Sequence, residues 1–236
     1  VNEFMDWYAS VHRGTGAKAY VATRCYEACR RIVGDFVGAD PEYHEVIFTA
    51  NATDSLNRLA ATLGRREPPL VLVSGMEHHS NVLPWRKHAR PEYVQVGQDG
   101  ALDLNHLEEQ LRRFSGQVRL VAVTGASNVT GLVPPVRQIA RMAHHYGAEL
   151  LVDAAQLVAH RPVTMGSPDS PERIDYLAFS GHKMYAPFGS GALIGPRETF
   201  EGEPVIVGGG TVELVMPESV ISSTVPPPTM TGSPSK

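Results

Sequence analysis

Short, uninterrupted apolar runs set the frame of this chain: Glu45-Val46-Ile47-Phe48-Thr49, residues 70–73, residues 118–123, Leu150-Leu151-Val152 and Leu177-Ala178-Phe179. A strand that is apolar on both faces must be covered on both, so such runs predict a largely parallel sheet. Between them apolar residues recur at helical spacing. Tyr26, Cys29, Val33 and Phe36 form one set, Leu104, Leu107, Leu111 and Phe114 another, and Ile139, Met142, Ala143 and Tyr146 a third, closed by Gly147. A further helix is predicted from near Thr53 to Leu63, with Gly64 where a helix-ending glycine belongs. The alternation predicts an α/β chain in three layers, a largely parallel sheet with helices on both faces. Ligands of such sheets bind beyond the carboxyl ends of the strands. The polar residues collect there, in segments 49–53, 77–81, 127–128, 153–156 and 180–183.

Two of those residues carry a specific chemistry. Lys183, in Ser180-Gly181-His182-Lys183, follows one strand and is well placed to form an imine. Asp153, in Asp153-Ala154-Ala155-Gln156, ends another, and an unpaired carboxylate there would be costly. A pyridinium N–H would offer it a charge-assisted hydrogen bond, so the pair suggests pyridoxal phosphate. The alternative for Asp153 is a plain cap on the next helix. Thr53 sits where a helix begins, a place equally suited to gripping a phosphate and to simple capping by Asn51 or Thr53.

The 236 residues are 42% hydrophobic and 19% charged, enough for a sizeable core. A net charge of −4 gives no basic footprint, which argues against nucleic acid, and no apolar run approaches a membrane span. Cys25 and Cys29, one helical turn apart, are read as buried thiols and not as a disulfide. A cytoplasmic protein fits this usage. The His78-His79 and His144-His145 pairs raise metal binding, but adjacent helical histidines point apart and no Cys or Glu follows at a zinc spacing. His144 and His145 are expected at a helix end, solvated and favoured by the dipole.

Seven segments in order carry a resemblance. They are His12-Arg13-Gly14; Asn51-Ala52-Thr53-Asp54-Ser55-Leu56-Asn57; Glu77-His78-His79-Ser80-Asn81 with Pro84-Trp85; Ser127-Asn128-Val129-Thr130-Gly131; Val152-Asp153-Ala154-Ala155-Gln156; Ser180 to Lys183; and Gly208-Gly209-Gly210-Thr211. The chain resembles the class V aminotransferase family of fold-type I pyridoxal phosphate enzymes, most of all its cysteine desulfurases. The resemblance implies that Lys183 is the Schiff-base lysine, that Asp153 partners the ring nitrogen and that His78 stacks on the ring. It implies a phosphate held by Ala52, Thr53, Ser180 and His182, and a phenolic oxygen met by Asn128 and Gln156. His12, Arg13 and Asn128 are then on the substrate side, and Thr211 reaches the phosphate of a neighbouring subunit. A homodimer with shared sites, an amino-acid substrate and a sulfur-acceptor protein follow from the same likeness.

The departures define the alternatives. Gly125 and Ala126 stand in the stretch where desulfurases usually carry a histidine, and Gly16 stands where a second histidine follows the His-Arg-Gly motif. Neither cysteine matches the position of the desulfurase nucleophile. An aminotransferase, a lyase or epimerase, or an inactive cofactor-binding fragment are the competing expectations. The expected organisation is a cofactor-binding large domain over residues 1–221 with an incomplete N-terminus. A disordered Pro/Ser/Thr-rich tail over 222–236 follows it, and a C-terminal small domain is missing.

Overall fold

The computed structural model of the chain describes residues 2–11, 16–201, 212–216 and 219–222, the last two stretches by their backbone. His12, Arg13, the Gly208-Gly209-Gly210-Thr211 segment and the tail from residue 223 lie outside the described residues. The chain divides into two units, residues 32–199 and residues 1–31 with 200–236. In chain order the helices and strands are α1 (Asn2–Met5), α2 (Ala17–Phe36), β1 (His44–Thr49), α3 (Ala52–Leu63), β2 (Leu70–Ser74), α4 (Leu83–His88) and β3 (Arg90–Val94). There follow α5 (Leu104–Arg113), β4 (Val118–Thr124), α6 (Val136–His145), β5 (Glu149–Asp153), β6 (Tyr176–Ser180), β7 (Gly191–Pro196), β8 (Val212–Met216) and β9 (Ser219–Ser222). The last two pair with each other, antiparallel.

The larger unit is built on a seven-stranded sheet in the order β1-β7-β6-β5-β4-β2-β3. Strands β3, β2, β4, β5 and β6 run parallel; four of the apolar runs are among them, while the first, β1, is an edge strand antiparallel to β7. Strand β7 is antiparallel to both β6 and β1. It is a strand that the sequence reading did not anticipate. Residues 181–190 return the chain beside β6 without a long helical crossover, and a connection of that kind gives an antiparallel neighbour. Strand β3, largely exposed at the other edge, was also unanticipated.

Packing explains the rest. Leu72, Leu120, Leu150, Leu151 and Ile194 on the strands and Leu56, Leu59, Leu107, Leu111 and Ile139 on the helices are fully buried. Each such side chain contributes about 2 kcal/mol by leaving water. Helix α3 is capped by Asn51, whose Oδ1 accepts the Asp54 amide at 2.9 Å, while Asp54 accepts the Ala50 amide at 3.0 Å. Gly64 does end α3, but with φ −83°, outside the left-handed region. It is glycine because a Cβ there would lie 2.2 Å from the His88 carbonyl oxygen.

Two expectations are corrected. Cys25 and Cys29 are free but exposed. They lie at helical spacing with Ile32 and Phe36, which are also exposed, so one apolar stripe of α2 is uncovered. His144 is not solvated: its side chain is 9% exposed and its Nε2 donates to Asp175 Oδ2 at 2.7 Å, while Nδ1 meets the Pro171 carbonyl at 2.7 Å. Asp175, ahead of β6, also accepts the Leu150 amide at 2.7 Å and Arg173 Nε at 2.8 Å. No helix among the described residues is long and apolar enough to cross a membrane.

Burial by itself would raise the Asp175 carboxyl. The hydrogen bonds from His144 and the Leu150 amide, with the charges of His144 and Arg173, overcome it and hold the group below its ordinary range. A depressed carboxylate stabilises the fold above its unfolded pKa and loses that contribution as pH falls. Asp175→Asn should therefore cost about 3 kcal/mol at neutral pH. It should also make the loss of stability on acidification shallower, as urea unfolding at a series of pH values would measure.

Candidate functional site

All the strand ends that the sequence singled out open on one edge of the sheet. Thr49, Ser180 and Gly191 share a register there, β7 contributing its first residue and β1 and β6 their last. Gly191 has no room for a side chain: a Cβ would sit 2.6 Å from Asn51 Cα. That close approach brings the start of α3 against the end of β6. The Ala52 amide then donates to the buried Ser180 Oγ at 2.8 Å.

A cavity of about 300 Å3 lies at this junction. It is lined by Ala52, Thr53, His78, Asn128, Asp153, Gln156, Ser180, His182 and Lys183, with Asn51, Ser80, Thr124, Ala126 and Ala155. Every site residue expected from the sequence within the described residues is in that set. His12, Arg13 and Thr211 lie outside the described residues. Asn51 serves as the cap, as one of the two capping alternatives expected, and the Thr53 hydroxyl is not used for capping. The Thr53 amide has no acceptor among the described residues, so a donor remains at the positive end of α3.

Asp153 is 4% exposed, and only its Oδ1 is bonded, to the Ala155 amide at 3.0 Å. Its Oδ2 has no donor among the described residues, yet it is not sealed from the cavity. Burial pushes the carboxyl above its ordinary range, against the Ala155 amide and the charges of Lys183 and His78. A buried acceptor that opens into a cavity is a place for a cationic N–H. His78 Nδ1 accepts the Ser80 amide at 3.2 Å and meets Ser80 Oγ at 2.8 Å, which leaves Nε2 free for a ligand. Lys183 lies in a short 3₁₀ turn, Gly181–Met184, closed by Tyr185 in the left-handed region (φ 65°). A tyrosine at positive φ stores about 1 kcal/mol of strain, a cost that folds accept mainly at functional turns. The His182 ring stacks on Phe188 with centroids 5.2 Å apart.

Three features escaped the sequence reading. Glu77, quoted only as part of a motif, turns its carboxyl inward behind His78, and burial pushes it up to about 8 although Ser74, Asn81 and the Thr124 amide all donate to it. His160 and Arg161 line a second cavity of about 360 Å3 that shares Ala126, Asn128 and Gln156 with the first. A lone histidine and arginine after an apolar turn carry no signal of their own. At the departure, Gly125, a Cβ would lie 2.8 Å from Leu157 Cδ2 and 3.1 Å from Val152 Cγ1, so a side chain there needs those side chains to give way.

The residues fit pyridoxal phosphate: an open acid for a ring nitrogen, an amine, an imidazole, and hydroxyls with a helix start for a phosphate. Comparison with known proteins points the same way. The family model "Aminotransferase class-V" matches residues 1–235. A probable cysteine desulfurase of Streptomyces coelicolor is 37% identical over 96% of this chain and 55% of its own length. A cysteine desulfurase of Haloferax volcanii is 36% identical over 91% of this chain and 52% of its own. Among solved structures, the apo cysteine desulfurase of Thermococcus onnurineus superposes with a TM-score of 0.81 at 36% identity, covering 96% of this chain and 57% of that one. The Escherichia coli cysteine desulfurase CsdA gives a TM-score of 0.75 at 29% identity, covering 99% and 60%. The chain spans about half the length of the curated relatives it matches.

Two outcomes follow from this geometry. Gly191→Ala should force the start of α3 away from β6, costing about 3 kcal/mol in urea unfolding and opening the Ala52–Ser180 contact. A carboxyl raised from 4.5 to about 8 contributes stability below the lower value and loses it as pH rises through the upper one. Unfolding midpoints should therefore fall between those pH values, with the raised Asp153 adding in the same direction, and Glu77→Gln should flatten the upper part of that slope.

Proposed function

Because the chain belongs to the class-V aminotransferase family, we propose that it is the cofactor-binding part of a pyridoxal-phosphate enzyme acting on an amino acid, in the manner of a cysteine desulfurase. The observation that carries this reading is the open oxygen of buried Asp153 in the same cavity as Lys183. Bound there, pyridoxal phosphate supplies a cationic ring that draws electrons from the substrate's α-carbon.

The chain's own residues divide the work. Asp153 holds the ring N–H and keeps the ring cationic. Ala52, Thr53, Ser180 and His182 hold the phosphate at the start of α3, where the amides and the helix dipole favour an anion. His78 covers one ring face. Asn128 and Gln156 bond the phenolic oxygen, and Asn128 also meets the substrate carboxylate. Lys183 would be the amine that holds the cofactor covalently, and its Nζ, when free, would take the substrate's α-proton and return it. His12 and Arg13 belong on the substrate side. The relatives named cysteine desulfurase favour sulfur chemistry over amino transfer, elimination or epimerisation, with a sulfur-acceptor protein as the partner.

We further read the protein as a homodimer in which Thr211 reaches the neighbour's phosphate. The uncovered stripe of Cys25, Cys29, Ile32 and Phe36, and the exposed Tyr185 and Phe188 beside the cavity, support a second copy as cover. Two free, exposed thiols suit a reducing compartment, in keeping with a cytoplasmic place. Domain limits of 1–221 for the cofactor-binding part belong to the same reading.

Addition of pyridoxal phosphate to the purified chain should give an absorbance band near the visible edge that Lys183→Ala lacks. A featureless spectrum in the unmutated chain would overturn the reading for this chain. Sulfide release from L-cysteine, against accumulation of a 2-keto acid, then separates a desulfurase from an aminotransferase.

A further inference from the structure

Glu77, whose carboxyl turns inward behind His78, is a group that the mechanism above does not use. The parallel ladder between β2 and β4 ends at Val73 and Ala122, so nothing in the sheet itself ties the residues after Ser74 to the end of β4. The Glu77 carboxyl spans that gap. Its Oε1 accepts the Ser74 hydroxyl and, at 2.6 Å, the Thr124 amide. Its Oε2 accepts Asn81 Nδ2 at 2.6 Å. The Asn81 amide group cannot flip, because its Oδ1 accepts the indole N–H of fully buried Trp85 at 3.0 Å. The Asn81 main-chain N–H closes the turn onto the His78 carbonyl at 2.8 Å.

Thr124 pairs directly with Asp153 across β4 and β5. One carboxyl therefore connects the turn that carries His78 to the strand residue beside Asp153. We propose that Glu77 is a positioning residue that fixes the distance between the His78 ring and the Asp153 carboxylate, and so the slot into which a cofactor ring slides. The proposal rests on the reading of this cavity as a pyridoxal phosphate site. Three buried donors converge on the group, so an amide in its place must turn at least one N–H against another N–H.

The test uses Glu77→Gln and the milder Ser74→Ala in the full chain, with two readouts. Hydrogen exchange without cofactor reports the Thr124 and Asn81 amides. Titration with pyridoxal phosphate reports the dissociation constant and the wavelength of the bound band. Glu77→Gln should speed exchange at both amides and raise the dissociation constant about tenfold, with a displaced band, and Ser74→Ala should raise it about threefold. Faster exchange with unchanged affinity and band would make Glu77 a merely structural clamp and overturn the proposal, as would unchanged exchange. If Glu77→Gln fails to fold, Ser74→Ala decides by the same criteria. Absence of any band in the unmutated chain sinks the cofactor reading together with this role, whereas a band that survives both variants unaltered sinks the role alone.

Discussion

The hydrogen bond from the Ala52 amide to Ser180 Oγ joins residues 128 positions apart, and the cavity depends on it. It holds the start of α3, with its unpaired Thr53 amide, beside the turn that carries His182 and Lys183. The bond forms because Gly191 lets the backbone at Asn51 press onto β7, between the ends of β1 and β6. An anion site at a helix start thus meets an amine at a strand end. Neither segment alone would be more than a cap or a loop.

Three acids in the larger unit, Asp175 and Asp153 buried and Glu77 partly buried, show how the fold separates structure from chemistry. Asp175 is met by a histidine, an arginine and a backbone amide, and its carboxyl is held low. That is a completed ion-pair network. Glu77 has three donors but no cation, and it is pushed high. Asp153 has one donor and an oxygen open to the cavity. Asp175 and Glu77 are each met by three donors, and Asp153, which lines the cavity, by one, which is what a site that leaves a partner for its ligand requires.

Much of this is legible in the amino-acid sequence. Apolar runs identified five of the seven sheet strands: four parallel ones, β2, β4, β5 and β6, covered on both faces, and the antiparallel edge strand β1. Strand β3 was hidden because it is a polar edge, and β7 because Gly191-Ala192 and Gly195-Pro196 dilute its apolar centre. The cavity residues were legible as motifs since each sits at a strand end. Whether a particular polar residue is solvated was not legible. His144 was read from its neighbourhood in sequence, whereas its partner Asp175 comes from 31 residues away. Cys29 has helical periodicity but no cover, and periodicity cannot say what lies opposite. Glu77 was invisible for the same reason as His144: its meaning comes from Thr124, 47 residues on.

Every described residue that lines the cavity belongs to the unit of residues 32–199. On the proposed function, that unit supplies the strand ends, the start of α3 and the Lys183 turn that would hold the cofactor, with Thr211 of a second copy added at the phosphate. Choice of reaction is a different matter, because it depends on the groups around the substrate's α-carbon and side chain. On the resemblance, His12 and Arg13 stand on that side, outside residues 32–199. Within the unit, the Asn128 and Gln156 flank continues into the cavity of His160 and Arg161. The Gly125 flank is filled by Leu157 and Val152, so a side chain restored there would require those two to shift. A chain built this way can share its cofactor chemistry with its relatives and still present a different surface to the substrate.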